Sequence, residues 1–420
     1  MHTRTTQHGA DLADPRFWRL PAPDRAAAFA ELRRLPAPLY VGDRAAGRGF
    51  HALVRHAHVV EASRTPAVFL SGPGVTTPAP PRWVRTVFGD SMVNLDDPRH
   101  AQLRRIVSRA FTPRLLGRVE EDVHRITAAL VDDLEQRRST AAGPPGDFVS
   151  AVAAELPFQV ICTMMGIPEE PRRLILDLVD RASADTGVAR SQRSRLRMPG
   201  RGLAALARMQ ATVAAIGRER RRRPAEDLIS ALVTADVDGR ALSGRELGAF
   251  FSLLLVAGVE TTRNALAHGL HLLTAHPEQR ALLLADLDGR LDGAVDEILR
   301  HATPIVQFRR TLAVDHELGG PGGPLLRAGE QVALFFGAAN RDEAVFTDPD
   351  AFDITRTPNP HLGFGGGGPH YCLGAHLARQ EMRALFHALF TRLPGIRSVG
   401  EPVPVPSSFD HRVRSLRFTY

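Results

Sequence analysis

The chain has 420 residues, 44% of them hydrophobic, and a formal net charge of +7. That length buries a sizeable core. Its 53 basic residues are all arginine, scattered without a nucleic-acid motif, so the basicity does not point to nucleic acid. Two cysteines exclude a disulfide framework, the polar start from Met1 to Asp14 lacks an apolar signal region, and the longest apolar stretch, around Phe250 to Ala257, is too short to span a bilayer. A soluble, cytoplasmic protein with no transmembrane segment is expected.

In chain order, strand-like pieces are predicted near Tyr40 and over His51 to Arg55. Ser71 to Pro81, rich in Pro, Gly and Thr, reads as a loop. From about Asp96 to Pro304 the apolar pattern is mostly helical, broken by the Ala/Pro/Gly loop Ala141 to Gly146. Ser243-Gly244-Arg245-Glu246 is a capping box that opens the longest helix. Apolar residues run on to Leu273, and Pro277 ends the element. About 30 residues at 1.5 Å each give roughly 45 Å. A helix that long and apolar nearly all round must cross the protein centre. Strands follow over Val306 to Val314 and Gln331 to Phe336, and the weakly alternating tail from Glu401 predicts a closing hairpin. There is no internal repeat and no long linker. The expected architecture is therefore one domain over residues 1–420, mainly α with small β-sheets.

Two segments carry chemistry. Inside the long helix stands Ala257-Gly258-Val259-Glu260-Thr261-Thr262, and a buried helix interior is a poor place for glycine, an acid and two threonines. Small residues admit close approach, and a threonine hydroxyl bonded one turn back loosens the ladder. Taken alone, Glu260 and Thr261 read equally as a proton source beside an open space and as a salt-bridging acid beside a helix-kinking hydroxyl.

The second segment is Phe364-Gly365-Gly366-Gly367-Gly368-Pro369-His370-Tyr371-Cys372-Leu373-Gly374, just ahead of an amphipathic helical run. Glycines permit tight turns and close backbone approach. N–H groups at a helix start favour a thiolate. An anionic sulfur in a bare-backbone cradle suits the axial ligand of a flat, bulky haem. A lone cysteine is more often a small core hydrophobe, but that reading explains neither the glycine run nor His370.

This loop resembles the haem-binding loop of the cytochrome P450 superfamily, and Ala257 to Thr262 resembles that family's oxygen-activation motif. The likeness covers most of the chain from about Phe17 to Pro394. It implies the cytochrome P450 fold, with haem b (iron protoporphyrin IX) between the long helix and the cysteine-loop helix. Cys372 would be the thiolate metal ligand, and Phe364, Gly374, Ala257 and Gly258 would line the cofactor. Glu260 and Thr261 would relay protons during reductive activation of dioxygen. His100 and Arg104 share a helix face and, with His370 and Arg310, match the positions that hold the haem propionates; Arg309 is the alternative to Arg310. Each of these four, read singly, is an ordinary surface group.

Glu297 and Arg300 match the family's Glu-x-x-Arg lock. The Arg that usually completes it, just before a Phe, is replaced by Ala351 ahead of Phe352, with Arg356 the candidate substitute. The cysteine loop departs as well: Phe364 stands one residue further from the sulfur than is usual, and Gly365 holds its place. An actinobacterial subgroup shares this glycine-extended loop and the glutamate at the acid position. The stretches Asn94 to His100, Ala339 to Asp342 and Asn359 to Gly363 also look like that subgroup. Its members hydroxylate methyl-branched lipids, isoprenoids or sterol side chains.

The expected function is monooxygenation of a hydrophobic small molecule. A tailoring hydroxylase or epoxidase of a polyketide, macrolide or terpenoid is the alternative, and a non-catalytic haem-binding interaction protein is the rival from another class. Electrons would come from an external ferredoxin and an NAD(P)H-dependent ferredoxin reductase, since the chain has no flavin or iron–sulfur motif. Arg105, Arg109, Arg114, Arg379 and Arg383 are candidate docking charges on the cysteine face. The cluster Arg190, Arg193, Arg195, Arg197 and Arg201 would, by family analogy, sit over the substrate entrance.

Overall fold

One helix organises the molecule. In the computed structural model, which describes residues 11–43, 48–76, 91–139, 146–184, 200–234 and 242–420, the helices in chain order are α1 (Ala22–Arg34), α2 (His56–Arg64), α3 (Arg99–Ala110), α4 (Pro113–Ser139), α5 (Glu155–Met165), α6 (Glu169–Ala184), α7 (Gly200–Arg222), α8 (Leu228–Thr234), α9 (Gly244–Ala275), α10 (Pro277–Ala285), α11 (Leu287–Ala302), α12 (Phe336–Ala339) and α13 (Ala375–Arg392). The capping box forms as the sequence predicts: Ser243 Oγ accepts the Glu246 N–H at 3.2 Å, and Glu246 accepts the Ser243 N–H at 2.9 Å. The 32 residues of α9 then span about 48 Å. Leu255, Leu266, Leu270 and Leu273 on it are fully buried. Gly269 removes the Cβ that would collide with Phe386 of α13, so the two helices pack closely.

A five-stranded sheet lies beside the helices. It joins β1 (Tyr40–Asp43), β2 (Arg48–Leu53), β3 (Phe69–Leu70), β4 (Gln307–Leu312) and, after a small antiparallel pair β5 (His316–Glu317) and β6 (Leu325–Leu326), β7 (Gln331–Phe335). The strand order is β1-β2-β7-β4-β3. The β2–β7 pairing is parallel and the others antiparallel. Phe17, Trp18, Phe29, Phe50 and Phe335 form an aromatic cluster that ties the N-terminal segment to this sheet.

The tail forms the expected hairpin and adds a second pairing. β9 (Val403–Pro404) does pair with β10 (Val413–Ser415), but β11 (Phe418–Thr419) turns back to β8 (Arg397–Ser398). Asp147 is the physical reason. Its Oδ1 accepts the Leu416 N–H at 2.6 Å, Phe148 donates to the Leu416 carbonyl, and Phe148 packs edge-on against Phe418. Long-range bonds thus accompany the second pairing. Among the described residues, no helix is long and apolar enough to cross a membrane.

Candidate active site

The cysteine loop is a built cradle. The Cys372 N–H donates to the Phe364 carbonyl at 3.0 Å, closing the glycine run on itself. Gly365, Gly367 and Gly368 have φ of +98°, +87° and +73°, which side chains other than glycine rarely adopt. A Cβ on Gly366 would stand 2.5 Å from Ser63 Oγ, and one on Gly368 would collide with the Ser63 carbonyl. Gly366 and Gly368 therefore let the loop press against the end of α2. Arg379 lies 4.5 Å over the Phe364 ring and bonds Asp296 at 2.8 Å, which fixes the loop's other side.

Cys372 is exposed, yet burial is the leading influence on its thiol and pushes its pKa up. The Gly374 N–H, Arg104 and Arg379 act in the opposite sense. α13 begins at Ala375 with Gly374 as its cap.

Along α9 the burial pattern breaks in one place. Val256 is 45% exposed and Ala257 is exposed, while Leu253, Leu254 and Thr261 are half-buried. Leu253, Ala257 and Thr261 are four residues apart and share a face, so this stripe borders open space inside the fold. Thr261 Oγ1 donates to the Ala257 carbonyl at 2.5 Å. Gly258 has a different neighbour: its missing Cβ admits Ile161 of α5, which would stand 3.0 Å away. Glu260 points elsewhere. It is 4% exposed, with Arg263 Nη1 at 3.4 Å and Arg412 Nε at 3.7 Å.

The four predicted propionate positions converge. The His100 and His370 rings are 4.2 Å apart. Burial first, then Arg310, His100 and Arg104, drive the His370 pKa down to about 3, and Ser71 Oγ lies 3.1 Å from its Nε2. Arg310 is buried, which lowers its pKa to about 10 against the opposing charge of Asp96. His100 Nδ1 is buried without a hydrogen-bond partner. Arg104 Nη2 donates to the Tyr371 carbonyl at 2.7 Å, so it also holds the residue before the sulfur. Arg309 lies on the opposite face of β4, stacked 4.2 Å over Phe50 and bonded to Gln331. Arg310, and not Arg309, therefore lies on the His370 side. Two arginines and two imidazoles, one with a ring nitrogen that lacks a hydrogen-bond partner, suit an anionic group, and the exposed sulfur with its glycine cradle suits a flat one. These residues fit a haem.

The Glu297–Arg300 pair is wholly buried and bidentate. Arg356 does take the third place, with Nε 3.4 Å from Glu297 Oε2, and Asn359 Nδ2 joins it at 3.1 Å. Sequence reasoning missed Glu381 on α13. It is 2% exposed, bonded to Thr262, and burial raises its pKa to about 8. Its spacing between Leu377 and Leu385, on the apolar stripe of α13, was the available signal. The loop beyond Thr76 up to Asp90, the loop Ala141 to Pro145 and the arginines from Arg190 to Arg197 lie outside the described residues, as does the Arg201 side chain.

The comparisons agree with this geometry. The cytochrome P450 family model matches residues 68–394. The chain is 41% identical to the methyl-branched lipid omega-hydroxylase of Mycobacterium tuberculosis (strain CDC 1551 / Oshkosh), over 98% of this chain and 95% of that one. It is 35% identical to the steroid C26-monooxygenase of Mycobacterium bovis, over 98% and 93%. The solved structure of a Mycobacterium marinum cytochrome P450 in complex with pseudoionone superposes with a TM-score of 0.88 at 41% identity, covering 98% of both chains. With a cysteine cradled in glycine, a pair of imidazoles beside it and a long helix exposed at Ala257, the chain belongs to the cytochrome P450 family and is a haem-thiolate monooxygenase that hydroxylates a hydrophobic substrate with dioxygen.

Proposed function

We propose that the protein hydroxylates a terminal methyl of a methyl-branched lipid, isoprenoid or sterol side chain, using haem b on Cys372. The names of the two relatives, a lipid omega-hydroxylase and a steroid C26-monooxygenase, support this substrate class. So does the pseudoionone bound in the related structure. The observation that carries the cofactor reading is Cys372 itself, accessible at the mouth of a glycine cradle.

The haem supplies the oxidising chemistry that breaks an unactivated C–H bond. The residues of this chain do the rest. Cys372 gives the thiolate, with the Gly374 N–H directed at the sulfur to moderate its charge. His100, Arg104, Arg310 and His370 offer donors and positive charge to the propionates. Thr261 stands on the open stripe of α9, and Glu260 lies beside it in sequence, so the two relay protons through water to the distal side. Phe364, Ala257 and Gly374 would border the macrocycle.

Electrons come from an external ferredoxin and its NAD(P)H-dependent reductase. Arg105 and Arg109 on α3 are exposed and suit an acidic partner. Arg114, Arg379 and Arg383 pair with Glu226, Asp296 and Asp292, and docking there would exchange those partners. Rates insensitive to ionic strength would count against this face.

The test is a screen of branched fatty acids, terpenes and sterols with surrogate redox partners. Terminal hydroxylation of at least one class is expected, together with loss of the thiolate-type carbon monoxide spectrum in Cys372→Ser. Binding spectra and products confined to polyketides or macrolides would overturn the substrate reading. Thr261→Ala should divert electrons to peroxide; unchanged coupling would remove it from the relay.

A further inference from the structure

Asn340 follows the short helix α12 and is fully buried. A primary amide out of reach of water must find hydrogen-bond partners in the protein, and this one does. Its Oδ1 accepts the Leu362 N–H at 2.6 Å, and its Nδ2 donates to Thr303 Oγ1 at 2.8 Å. Its own carbonyl accepts Arg300 Nη1 at 2.8 Å. Chemistry fixes the direction of the side-chain bonds. A backbone N–H can only donate, so the atom facing Leu362 must be the oxygen. The Thr303 hydroxyl directs its proton to the Arg300 carbonyl at 2.7 Å, which leaves its lone pairs to the amide. Thr303 caps α11 with φ +39°, a conformation that β-branched residues rarely adopt. Its hydroxyl, bonded on both sides, holds it there.

From Leu362 the bonds continue to the sulfur. The Leu362 carbonyl accepts the Gly365 N–H at 2.9 Å, and the Phe364 carbonyl accepts the Cys372 N–H at 3.0 Å. Gly365 has φ +98°, and a Cβ there would meet nothing within 4 Å. Packing restrains this turn little, so its bond to Leu362 must do so. The far side of the glycine run is different, because Gly366 and Gly368 press on Ser63. The loop thus has a packed end against α2 and a hydrogen-bonded end on Asn340. One amide joins the cap of α11 to the stem of the cysteine loop.

We propose that Asn340 is a positioning residue for the Cys372 thiolate. Its amide fixes the entry of the cysteine loop at Leu362, and the bonds from there to Cys372 set the direction in which the sulfur is presented. This rests on the reading of Cys372 as the haem ligand. Without the amide, the Leu362 N–H would be buried and unbonded, a penalty the stem can escape only by moving. The loop N–H groups around the sulfur would move with it, and the reduction potential of a thiolate-bound haem responds to such shifts.

Variants of the holoprotein test this. Asn340→Ala should lose part of the thiolate-type carbon monoxide band and shift the reduction potential. It should also speed hydrogen exchange at the Leu362 and Gly365 amides about tenfold, the equivalent of one hydrogen bond. Thr303→Val removes the amide's anchor and leaves the loop sequence untouched. It should move the same three readouts in the same direction, and Thr303→Ser, which keeps the hydroxyl, should return them to the parent. Phe29→Leu, a core loss in the aromatic cluster of the N-terminal segment, controls for stability alone and should move none of them. An unshifted band and unchanged exchange in Asn340→Ala overturn the proposal, and so does an equal change in Phe29→Leu. Should Asn340→Ala not fold, the two Thr303 variants decide on the same readouts. Cys372→Ser separates this proposal from the one beneath it. If that variant keeps the thiolate-type band, the ligand assignment fails, and exchange at Leu362 and Gly365 alone judges whether Asn340 holds the stem.

Discussion

Arg300 grips Glu297 through two parallel bonds, Nε to Oε2 at 2.8 Å and Nη2 to Oε1 at 2.7 Å, with neither side chain exposed. The Asp353 N–H adds a bond to Oε1 at 2.9 Å, and Arg300 directs further N–H groups to the Asn340, Pro349 and Ala351 carbonyls. The pair therefore fastens α11 to the chain that leads into the cysteine loop. Breaking a fully bonded buried pair strands its partner's charge. Glu297→Ala should lose about 3–5 kcal/mol of stability and release haem more readily. Urea unfolding of the holoprotein checks this, and a loss near that of a surface pair would contradict it.

The glycine cradle makes a graded prediction. Gly365 and Gly368 both have positive φ, but a Cβ on Gly365 meets nothing within 4 Å while one on Gly368 runs into the Ser63 carbonyl. Gly365→Ala should carry only backbone strain, about 1–2 kcal/mol. Gly368→Ala adds a clash with backbone that cannot rotate away, so the loop must move and the sulfur with it. The carbon monoxide spectrum of the reduced protein reads this directly. Gly368→Ala should shift much of the population away from the thiolate-type band and Gly365→Ala little; equal spectra would refute the distinction.

Much of the site was legible because its signals are local. The capping box at Ser243 to Glu246, the glycine run before Cys372 and the Glu297–Arg300 spacing each need only a few consecutive residues. What escaped depends on tertiary placement. The choice between Arg309 and Arg310 turns on which face of β4 meets Phe50 and which meets His370. Arg412 reaches Glu260 only because the chain's end folds back on α9. The tail's hairpin was legible, but its second pairing was not, since Asp147 captures Leu416 from a distant loop.

Glu381 carries a pH signature. Burial raises its pKa to about 8 from an ordinary 4.5, with the Thr262 hydrogen bond opposing. Between those two values the unfolded chain has released this proton and the folded one retains it. Stability must therefore fall as pH rises across that window, at up to about 1.4 kcal/mol per pH unit from this group. Glu381→Gln is neutral and nearly the same shape, so it should flatten that part of the profile while leaving stability near pH 4.5 almost unchanged. Unfolding free energies at a series of pH values check it. Parallel profiles for parent and variant would mean that the acid is ionised in the folded state.

The histidines behind α9 predict the opposite slope on the acid side. His268 Nε2 donates to the His411 carbonyl at 3.0 Å, and His411 Nδ1 to the Ala302 carbonyl at 2.5 Å. Burial lowers their pKa values to about 4 and about 3, against an ordinary 6.5. Below 6.5 the unfolded chain takes up protons that the folded seam refuses, so stability falls as pH drops toward 4. Each histidine contributes up to about 1.4 kcal/mol per pH unit there. His268→Gln retains an N–H for the His411 carbonyl but takes up no proton in either state. It should reduce the acid slope by one proton and leave stability at pH 7 to 8 within about 1 kcal/mol of the parent. An unchanged slope between pH 6 and 4 would show that His268 is protonated in the folded protein, and the seam would then have to accommodate a buried cation beside His411.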